Sequence, residues 1–223
     1  MLYVNGSSTQ PAKLDAVNKQ DLISHIYDNN RACWVLKFTS GKFAHILKTL
    51  VSNNTITSIT LPEGLTSIED EAFSGCNLTS ITIPESVISI GKSAFSGCSN
   101  LLSVTIPNGV TSIGSSAFYE CSGLTSITIP EGVTNIGEDA FACCNALESI
   151  TIPEGVTSIG EGAFYDCSSL TSITIPKSMT KIKREVFYGC SNLKEIYCYH
   201  FPKVWRKAFD KSLGDITLHL KLQ

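Results

Sequence analysis

The chain repeats one pattern of apolar and polar positions six times. Each repeat follows L-x-S-I-x-I-P-x-x-V-T-x-I-G-x-x-A-F-x-x-C-x-x, with a period of 23 residues and a single deletion in the first repeat. The repeats occupy residues 56–77, 78–100, 101–123, 124–146, 147–169 and 170–192. Self-similarity at such a period is typical of a solenoid, in which each short unit stacks on the one before.

Each repeat contains the signals for two short extended segments and one tight turn. S-I-T-I alternates polar and apolar residues, which predicts a half-buried strand. The proline that follows lacks an N–H group and ends this strand. V-T-S-I predicts a second extended piece, and A-F-x-x-C predicts a helical or 3₁₀ turn that places its phenylalanine in the core. These phenylalanines are Phe73, Phe95, Phe118, Phe141, Phe164 and Phe187.

No single repeat can bury its apolar side alone, so we expect stacking to form one continuous interior. Strands spaced at about 4.8 Å would then form a parallel sheet along one face. The outward positions of that sheet carry serine and threonine, because the alternating isoleucines point inward. The expected fold is a right-handed solenoid in the form of an arc or a gentle superhelix.

The two ends of the chain depart from the pattern. Residues 193–223 keep only traces of a seventh repeat and are interpreted as a C-terminal cap. Residues 1–55 are interpreted as an N-terminal cap, because so short a segment forms a meagre core of its own. Within it, apolar spacing predicts helices over 13–30 and 41–54, and 31–39 is a candidate strand.

Charge is divided unevenly along the 223 residues, whose net charge is −3. Residues 56–169 hold one basic and thirteen acidic side chains, whereas residues 170–223 hold ten basic and four acidic ones. An acidic middle argues against nucleic acid as a partner. No apolar run is long enough to cross a bilayer, and the first residues do not have the basic-then-apolar pattern of a signal peptide.

The recurrence of S-I-T-I-P, V-T-S-I-G and A-F-x-x-C in register resembles the BspA-like leucine-rich repeats, over roughly residues 56–210. That resemblance implies an α/β solenoid: a leucine-rich-repeat arc with a parallel sheet on one face, short extended or 3₁₀ turns on the other, and an N-terminal α/β cap. It also implies a surface or secreted protein that binds other proteins or cells, with catalysis not typical of the family. A cytoplasmic location is the alternative.

Six cysteines recur at one position of the repeat and should form a column: Cys76, Cys98, Cys121, Cys144, Cys167 and Cys190. A disulfide ladder is disfavoured because parallel Cβ vectors leave neighbouring Cβ atoms too far apart. A straight column also cannot supply the tetrahedral ligands that zinc requires. We therefore predict buried thiols that act as weak donors, with Cys143, at a neighbouring position, as the exposed one.

The sequence offers no catalytic, cofactor or metal-ligating residues that we would nominate, so we predict a protein that is not an enzyme and takes no cofactor or metal. Histidine is scarce, and the Cys198-x-His200 pair has no second pair nearby. The nucleophile-elbow, phosphate-loop, zinc-protease and dinucleotide-binding motifs do not occur.

The candidate binding surface is therefore the outward side of the parallel sheet. It comprises Ser58, Thr60, Ser80, Thr82, Ser103, Thr105, Ser126, Thr128, Ser149, Thr151, Ser172, Thr174, Glu195 and Tyr197. These hydroxyl groups either only keep a long sheet soluble or form a hydrogen-bonding surface for a protein or glycan partner. An aromatic cluster near the C-terminal end either covers the last repeat or forms a contact patch; it contains Tyr188, Tyr197, Tyr199, His200, Phe201, Trp205, Arg206 and Lys207.

We accordingly predict a non-catalytic interaction scaffold, monomeric or weakly self-associating, that does not span a membrane. The alternative is a structural solenoid without a small-molecule ligand that associates end to end through its oppositely charged segments.

Overall fold

The computed structural model describes residues 2–6, 22–28, 33–38, 56–61, 63–179, 181–199, 207–209 and 216–220. Two sheets run the length of the repeats and enclose one core. Among the described residues, the large sheet has eleven strands and the small sheet has six.

The large sheet takes its repeat strands from the S-I-T segments. Its strands are β1 (Leu2–Gly6), β2 (Leu22–Asp28), β3 (Cys33–Phe38), β4 (Ile56–Thr60), β6 (Ser80–Thr82), β8 (Ser103–Thr105), β10 (Ser126–Thr128), β12 (Ser149–Thr151), β14 (Ser172–Thr174), β16 (Glu195–Cys198) and β17 (Thr217–Leu220). Their order across the sheet is β17-β16-β14-β12-β10-β8-β6-β4-β1-β3-β2. From β4 to β17 the strands run parallel, and equivalent residues face each other across neighbouring strands.

The small sheet takes its strands from the second extended segment of each repeat. Its strands are β5 (Ser67–Ile68), β7 (Ser89–Ile90), β9 (Ser112–Ile113), β11 (Asn135–Ile136), β13 (Ser158–Ile159) and β15 (Lys181–Ile182). A proline turn joins the two sheets within a repeat: in the fourth repeat the amide of Val133 donates to the carbonyl of Pro130 at 3.1 Å. The predicted solenoid with a parallel sheet on one face is thereby confirmed.

The A-F-x-x-C segments form turns that stack on the third side of the solenoid. In the first of them, the amide N–H groups of Glu71, Phe73 and Gly75 donate to carbonyl oxygens of the second repeat at 2.8, 2.7 and 2.7 Å. The same three donations, always to the following repeat, recur along the stack. Two residues of each turn have the left-handed backbone conformation, including Glu120 (φ +55°) and Cys143 (φ +60°), which bulky side chains adopt at some cost.

The core is built from columns of identical side chains. The six repeat phenylalanines are buried and stack ring on ring, with neighbouring centroids 5.1 to 5.6 Å apart and planes within 8° of parallel. Phe209 continues the column beyond the last full repeat, 5.0 Å from Phe187. Each ring thus covers the next one, and burial of a single repeat depends on both of its neighbours.

The N-terminal strands correct one prediction. The helix predicted over 13–30 is wrong at residues 22–28, which form β2 and pair antiparallel with β3. Pairing with a neighbouring strand outweighs the helical spacing of a few apolar residues. The predicted strand within 31–39 is confirmed by β3, while the helix predicted over 41–54 lies outside the described residues.

Glycine allows the turns of neighbouring repeats to approach closely. A Cβ atom on Gly137 would come within 2.5 Å of the backbone nitrogen of Ser115 in the preceding repeat, whereas one on Gly109 would remain 3.3 Å from the carbonyl oxygen of Val87. We therefore expect Gly137→Ala to lower the free energy of unfolding by about 1–3 kcal/mol, since the obstructing atoms are backbone and cannot rotate away.

Urea denaturation of the full chain measures this effect, with Gly109→Ala as the matched control at a similarly non-strained backbone angle. The control should shift the midpoint much less. Equal midpoints for the two variants would contradict the close approach at Gly137.

Candidate binding surface

The outward side of the large sheet carries two rows of hydroxyl groups, which we name the hydroxyl face. It consists of Ser58, Thr60, Ser80, Thr82, Ser103, Thr105, Ser126, Thr128, Ser149, Thr151, Ser172 and Thr174. In the second to fifth repeats the serine and the threonine are both exposed and flank a buried isoleucine or valine. The alternation along each strand thus turns the apolar residues inward and leaves an uncharged polar surface outside.

The two rows are in strict register from repeat to repeat. Ser126 lies opposite Ser103, and Thr128 lies opposite Thr105, so like hydroxyls are neighbours across the sheet. Each hydroxyl can both donate and accept a hydrogen bond. The face therefore offers a regular array of weak contacts without a charge to favour one partner over another.

At β16 the composition of both rows changes. Glu195 lies opposite Ser172, and Tyr197 lies opposite Thr174. All four of these side chains are half-buried. Glu195 and Tyr197, which the repeat pattern predicts on this surface, thus lie in the two rows.

The last strand of the large sheet, β17, extends the rows by Thr217 and His219, which lie opposite Glu195 and Tyr197. The ring of His219 stacks on that of Tyr197, with centroids 4.4 Å apart and planes 10° from parallel. The Tyr197 hydroxyl donates to Oε2 of Glu195 at 2.7 Å, and this bond raises the pKa of Tyr197. We name these four residues the Tyr197 cluster.

Sequence reasoning missed Thr217 and His219 because they follow a segment without the repeat pattern. The signal was present in the alternation of Ile216 to Leu220, which has the period of the other outward strands. Leu218 and Leu220, on the core side of β17, are exposed, in contrast to their buried partners Ile196 and Cys198 on β16.

The C-terminal aromatic residues are not all brought together. Tyr188 belongs to the stacked turns, where its ring lies 5.4 Å from that of Tyr165, and not to the large sheet. Tyr197 is on the sheet, and Tyr199 follows β16. The remaining predicted members at 200, 201, 205 and 206 lie outside the described residues.

The cysteine column is a structural feature of the core. From the second repeat onward each buried thiol donates to the backbone carbonyl of the phenylalanine in the preceding repeat, as in Cys121 to Phe95 at 3.1 Å and Cys144 to Phe118 at 3.2 Å. Burial raises the pKa of Cys144 and Cys167 well above the ordinary value. The prediction of buried thiols acting as weak donors is confirmed.

Cys143 is half-buried in the turn of the fourth repeat, beside acidic side chains. Partial burial raises the pKa of its thiol, and the negative charges of Asp166, Glu120 and Asp139 raise it further. A hydrogen bond with Tyr119 acts in the opposite direction. This thiol is accessible but poorly ionised at neutral pH.

In the part of the chain that the structure describes, no three His, Cys, Asp or Glu side chains are grouped so that they could hold a metal ion. Among the same residues, no helix is long and apolar enough to cross a membrane.

The repeats also match a known protein family. The model of the BspA type leucine rich repeat region, which spans six copies of the repeat, matches residues 44–167 and again 92–214. The chain belongs to the BspA-type leucine-rich-repeat family. The resemblance inferred from the repeated sequence motifs is thereby confirmed. None of the curated proteins matches the chain.

Solved structures of other leucine-rich-repeat proteins are similar to this BspA-type chain. The T. pallidum leucine rich repeat protein TpLRR is 30% identical, with 80% of this chain and 79% of that chain covered and a TM-score of 0.59. The pneumococcal vaccine antigen PcpA is 19% identical, with coverage of 75% and 52% and a TM-score of 0.51, which shows the fold alone. A protein described as a leucine rich cell surface protein from Faecalibacterium prausnitzii A2-165 is 26% identical, with coverage of 74% and 65% and a TM-score of 0.43.

The environment of Cys143 predicts its reactivity. Because nearby carboxylates raise its pKa, we expect slow reaction with a disulfide reagent at pH 7.5 and faster reaction as the pH rises. Replacing a carboxylate, in Glu120→Gln or Asp166→Asn, should lower the pKa and accelerate labelling, as measured by peptide mass spectrometry at the Cys143 peptide. Glu131→Gln, in the turn after β10, is the control. If Glu120→Gln reacted no faster than this control, the electrostatic account would be wrong.

Proposed function

We propose that this protein is a non-catalytic interaction scaffold that binds a protein or glycan partner through the hydroxyl face. The observation that carries the proposal is the exposure of matched serine and threonine rows along the repeats, ending in the Tyr197 cluster. We also propose a location outside the cell or on its surface, which the BspA-like resemblance supports. The non-catalytic role rests on the same family, whose repeats serve in binding.

The chemistry of the hydroxyl face favours an extended partner. A single hydroxyl contributes only about 0.5–1.5 kcal/mol in a hydrogen bond, so useful affinity requires many contacts at once. Rows spaced at about 4.8 Å per repeat offer such contacts to a partner that lies along the solenoid. The regularity of the face supplies area and hydrogen bonds, and it supplies little selectivity by itself.

Selectivity in this proposal comes from the Tyr197 cluster. Aromatic residues are enriched among the side chains that dominate binding energy, whereas serine and threonine are not. The stacked His219 ring and the hydrogen bond to the Glu195 carboxylate hold the Tyr197 ring in one orientation. Little side-chain entropy is therefore lost when a partner contacts it. A partner that lies on the hydroxyl face would thus be recognised where the rows end.

The first test places a charge in the centre of the hydroxyl face. The wild-type chain is applied to a glycan array and to a panel of purified matrix proteins, and the best hit is measured by surface plasmon resonance. Thr128→Lys and Thr151→Lys should each weaken binding at least about tenfold, or about 1.4 kcal/mol, because they obstruct the contact. Thr66→Lys, exposed beside the small sheet, should bind like the wild type. If both face variants folded normally and kept full affinity, the hydroxyl face would not be the binding site.

The second test addresses the Tyr197 cluster. Tyr197→Phe removes the hydrogen bond to Glu195 and keeps the ring, whereas Tyr197→Ala removes both. If the cluster selects the partner, the alanine variant should lose discrimination among related array members, and the phenylalanine variant should retain most of it. Unchanged selectivity in a folded Tyr197→Ala variant would remove the cluster from the proposal.

A further inference from the structure

The six stacked turns form a second continuous surface, on a different side of the solenoid from the hydroxyl face. The turns are residues 70–75, 92–97, 115–120, 138–143, 161–166 and 184–189. In every turn the third and fourth residues are a buried Ala or Val and a buried Phe. Apart from the buried Ala142 and Gly162, the first, second, fifth and sixth residues make the surface. We give the name turn rim to these four positions of each turn together with the residue just before it.

Opposite charges mark the two ends of the turn rim. At its first turn Glu69, Asp70 and Glu71 are all exposed, and at its sixth turn Lys183 and Arg184 are exposed together with one carboxylate, Glu185. The first turn is therefore acidic and the sixth carries a net positive charge. Arg184 makes an ion pair with Glu161 at 3.5 Å within the chain, but 67% of its side chain remains exposed. Its guanidinium group is therefore accessible to a second partner.

The turns between these ends are also complementary if the rim is placed against a second copy of itself that runs in the opposite direction, so that the second turn faces the fifth and the third faces the fourth. The second turn begins with Lys92 and the fifth with Glu161; the third begins with Ser115 and the fourth with Glu138. Reversal of the rim therefore sets a cation opposite a carboxylate at the second turn, and a hydroxyl donor opposite a carboxylate at the third.

Side-chain size at the fifth residue of each turn is complementary in the same antiparallel arrangement. In order these residues are Ser74, Ser96, Tyr119, Ala142, Tyr165 and Tyr188. Reversal places one tyrosine opposite one small residue in all six positions. Neither charge nor size would match in the parallel arrangement, in which every residue faces its own copy.

We propose that the turn rim binds a second copy of this chain, antiparallel, about a twofold axis that passes between the third and fourth turns. Such an isologous contact is self-complementary and closes as a dimer, so it does not propagate into a fibre. Each acidic first turn lies against the basic sixth turn of the other copy. Each tyrosine packs against the small residue opposite.

The carboxylates in the middle of the rim favour this arrangement. Partial burial raises the pKa of Asp139, and the negative charges of Glu138 and Glu161 raise it further. These acidic groups repel one another within one chain. The antiparallel second copy brings hydroxyl donors and Lys92 to them.

The contact involves a few side chains in each of six turns, which places it among small, transient interfaces. We therefore expect a weak dimer whose association depends on salt. It differs from end-to-end stacking because the ends of the solenoid take no part. It is also independent of ligand binding, because the hydroxyl face stays accessible.

Sedimentation velocity on the full, reduced chain tests the proposal, at about 20 mM and about 500 mM salt. We expect a concentration-dependent dimer at low salt and a monomer at high salt. Lys183→Glu with Arg184→Glu should abolish the dimer, as should Glu69→Lys with Asp70→Lys. The control is Glu85→Lys with Glu131→Lys, which reverses as many charges away from the rim and should leave the dimer in place.

Mixing the two rim variants gives the sharpest result. The variant changed at Lys183 and Arg184 has acidic residues at both ends of the rim, and the variant changed in the first turn has basic residues at both ends. An antiparallel pair of one with the other therefore sets acidic against basic residues at each end. We expect the mixture to form a dimer that neither variant forms alone. A wild-type chain that stays monomeric at low salt, a dimer insensitive to rim reversal, or a mixture that remains monomeric would each overturn the proposal.

Cys143 provides an independent readout, because it ends the fourth turn and lies beside the proposed axis. Diamide takes up two electrons and two protons as the two Cys143 thiols, one from each copy, form a disulfide. We expect a covalent dimer linked at Cys143 at low salt and little of it at high salt. Cys143→Ser should lose the covalent link and still sediment as a dimer. A link mapped to other cysteines would count against the proposed register.

Discussion

Each of the first five turns of the solenoid donates three amide N–H groups to carbonyl oxygens of the following repeat, and from the second turn onward the carbonyls accept from the preceding repeat. Buried amides without such partners would cost about 1–3 kcal/mol each, so the turns are stable only in a stack. The phenylalanine column and the cysteine thiols repeat the same dependence inside the core, since each ring and each sulfur contacts the neighbouring repeat. This stacking of each repeat on its neighbours sets the register of the sheets, the hydroxyl face and the turn rim.

This dependence explains why the repeats could be predicted from sequence. S-I-T-I and the following proline determine the strand and its end, and the same signals occur six times, so chance agreement is small. Burial of Ile127 between exposed Ser126 and Thr128 follows from alternation alone. The N-terminal segment offered no repetition, and the apolar spacing of Leu22–Asp28 favoured a helix. Pairing with β3, a contact between residues distant in sequence, decided the outcome there.

The candidate surfaces were only partly accessible to the same reasoning. The hydroxyl rows follow from the pattern, and Glu195 and Tyr197 were identified where the pattern breaks. Thr217 and His219 were missed, because they join the rows only when β17 pairs with β16 across a segment without repeat signals. The complementarity of the turn rim was missed for another reason. It relates residues as distant as Glu69 and Arg184, and it becomes visible only when the stack shows which positions share one surface.

The one-way donation of the turns also gives their stack an electrical direction. In each of the first five turns three peptide dipoles point toward the C-terminal end, so that end of the stack is its positive pole and the first turn is its negative pole. Lys183 and Arg184 thus lie at the positive pole, and Glu69 and Asp70 at the negative one, which is the less favourable placement for a chain by itself. Two stacks side by side in opposite directions cancel each other's dipoles. The backbone and the side chains therefore favour the same partner orientation.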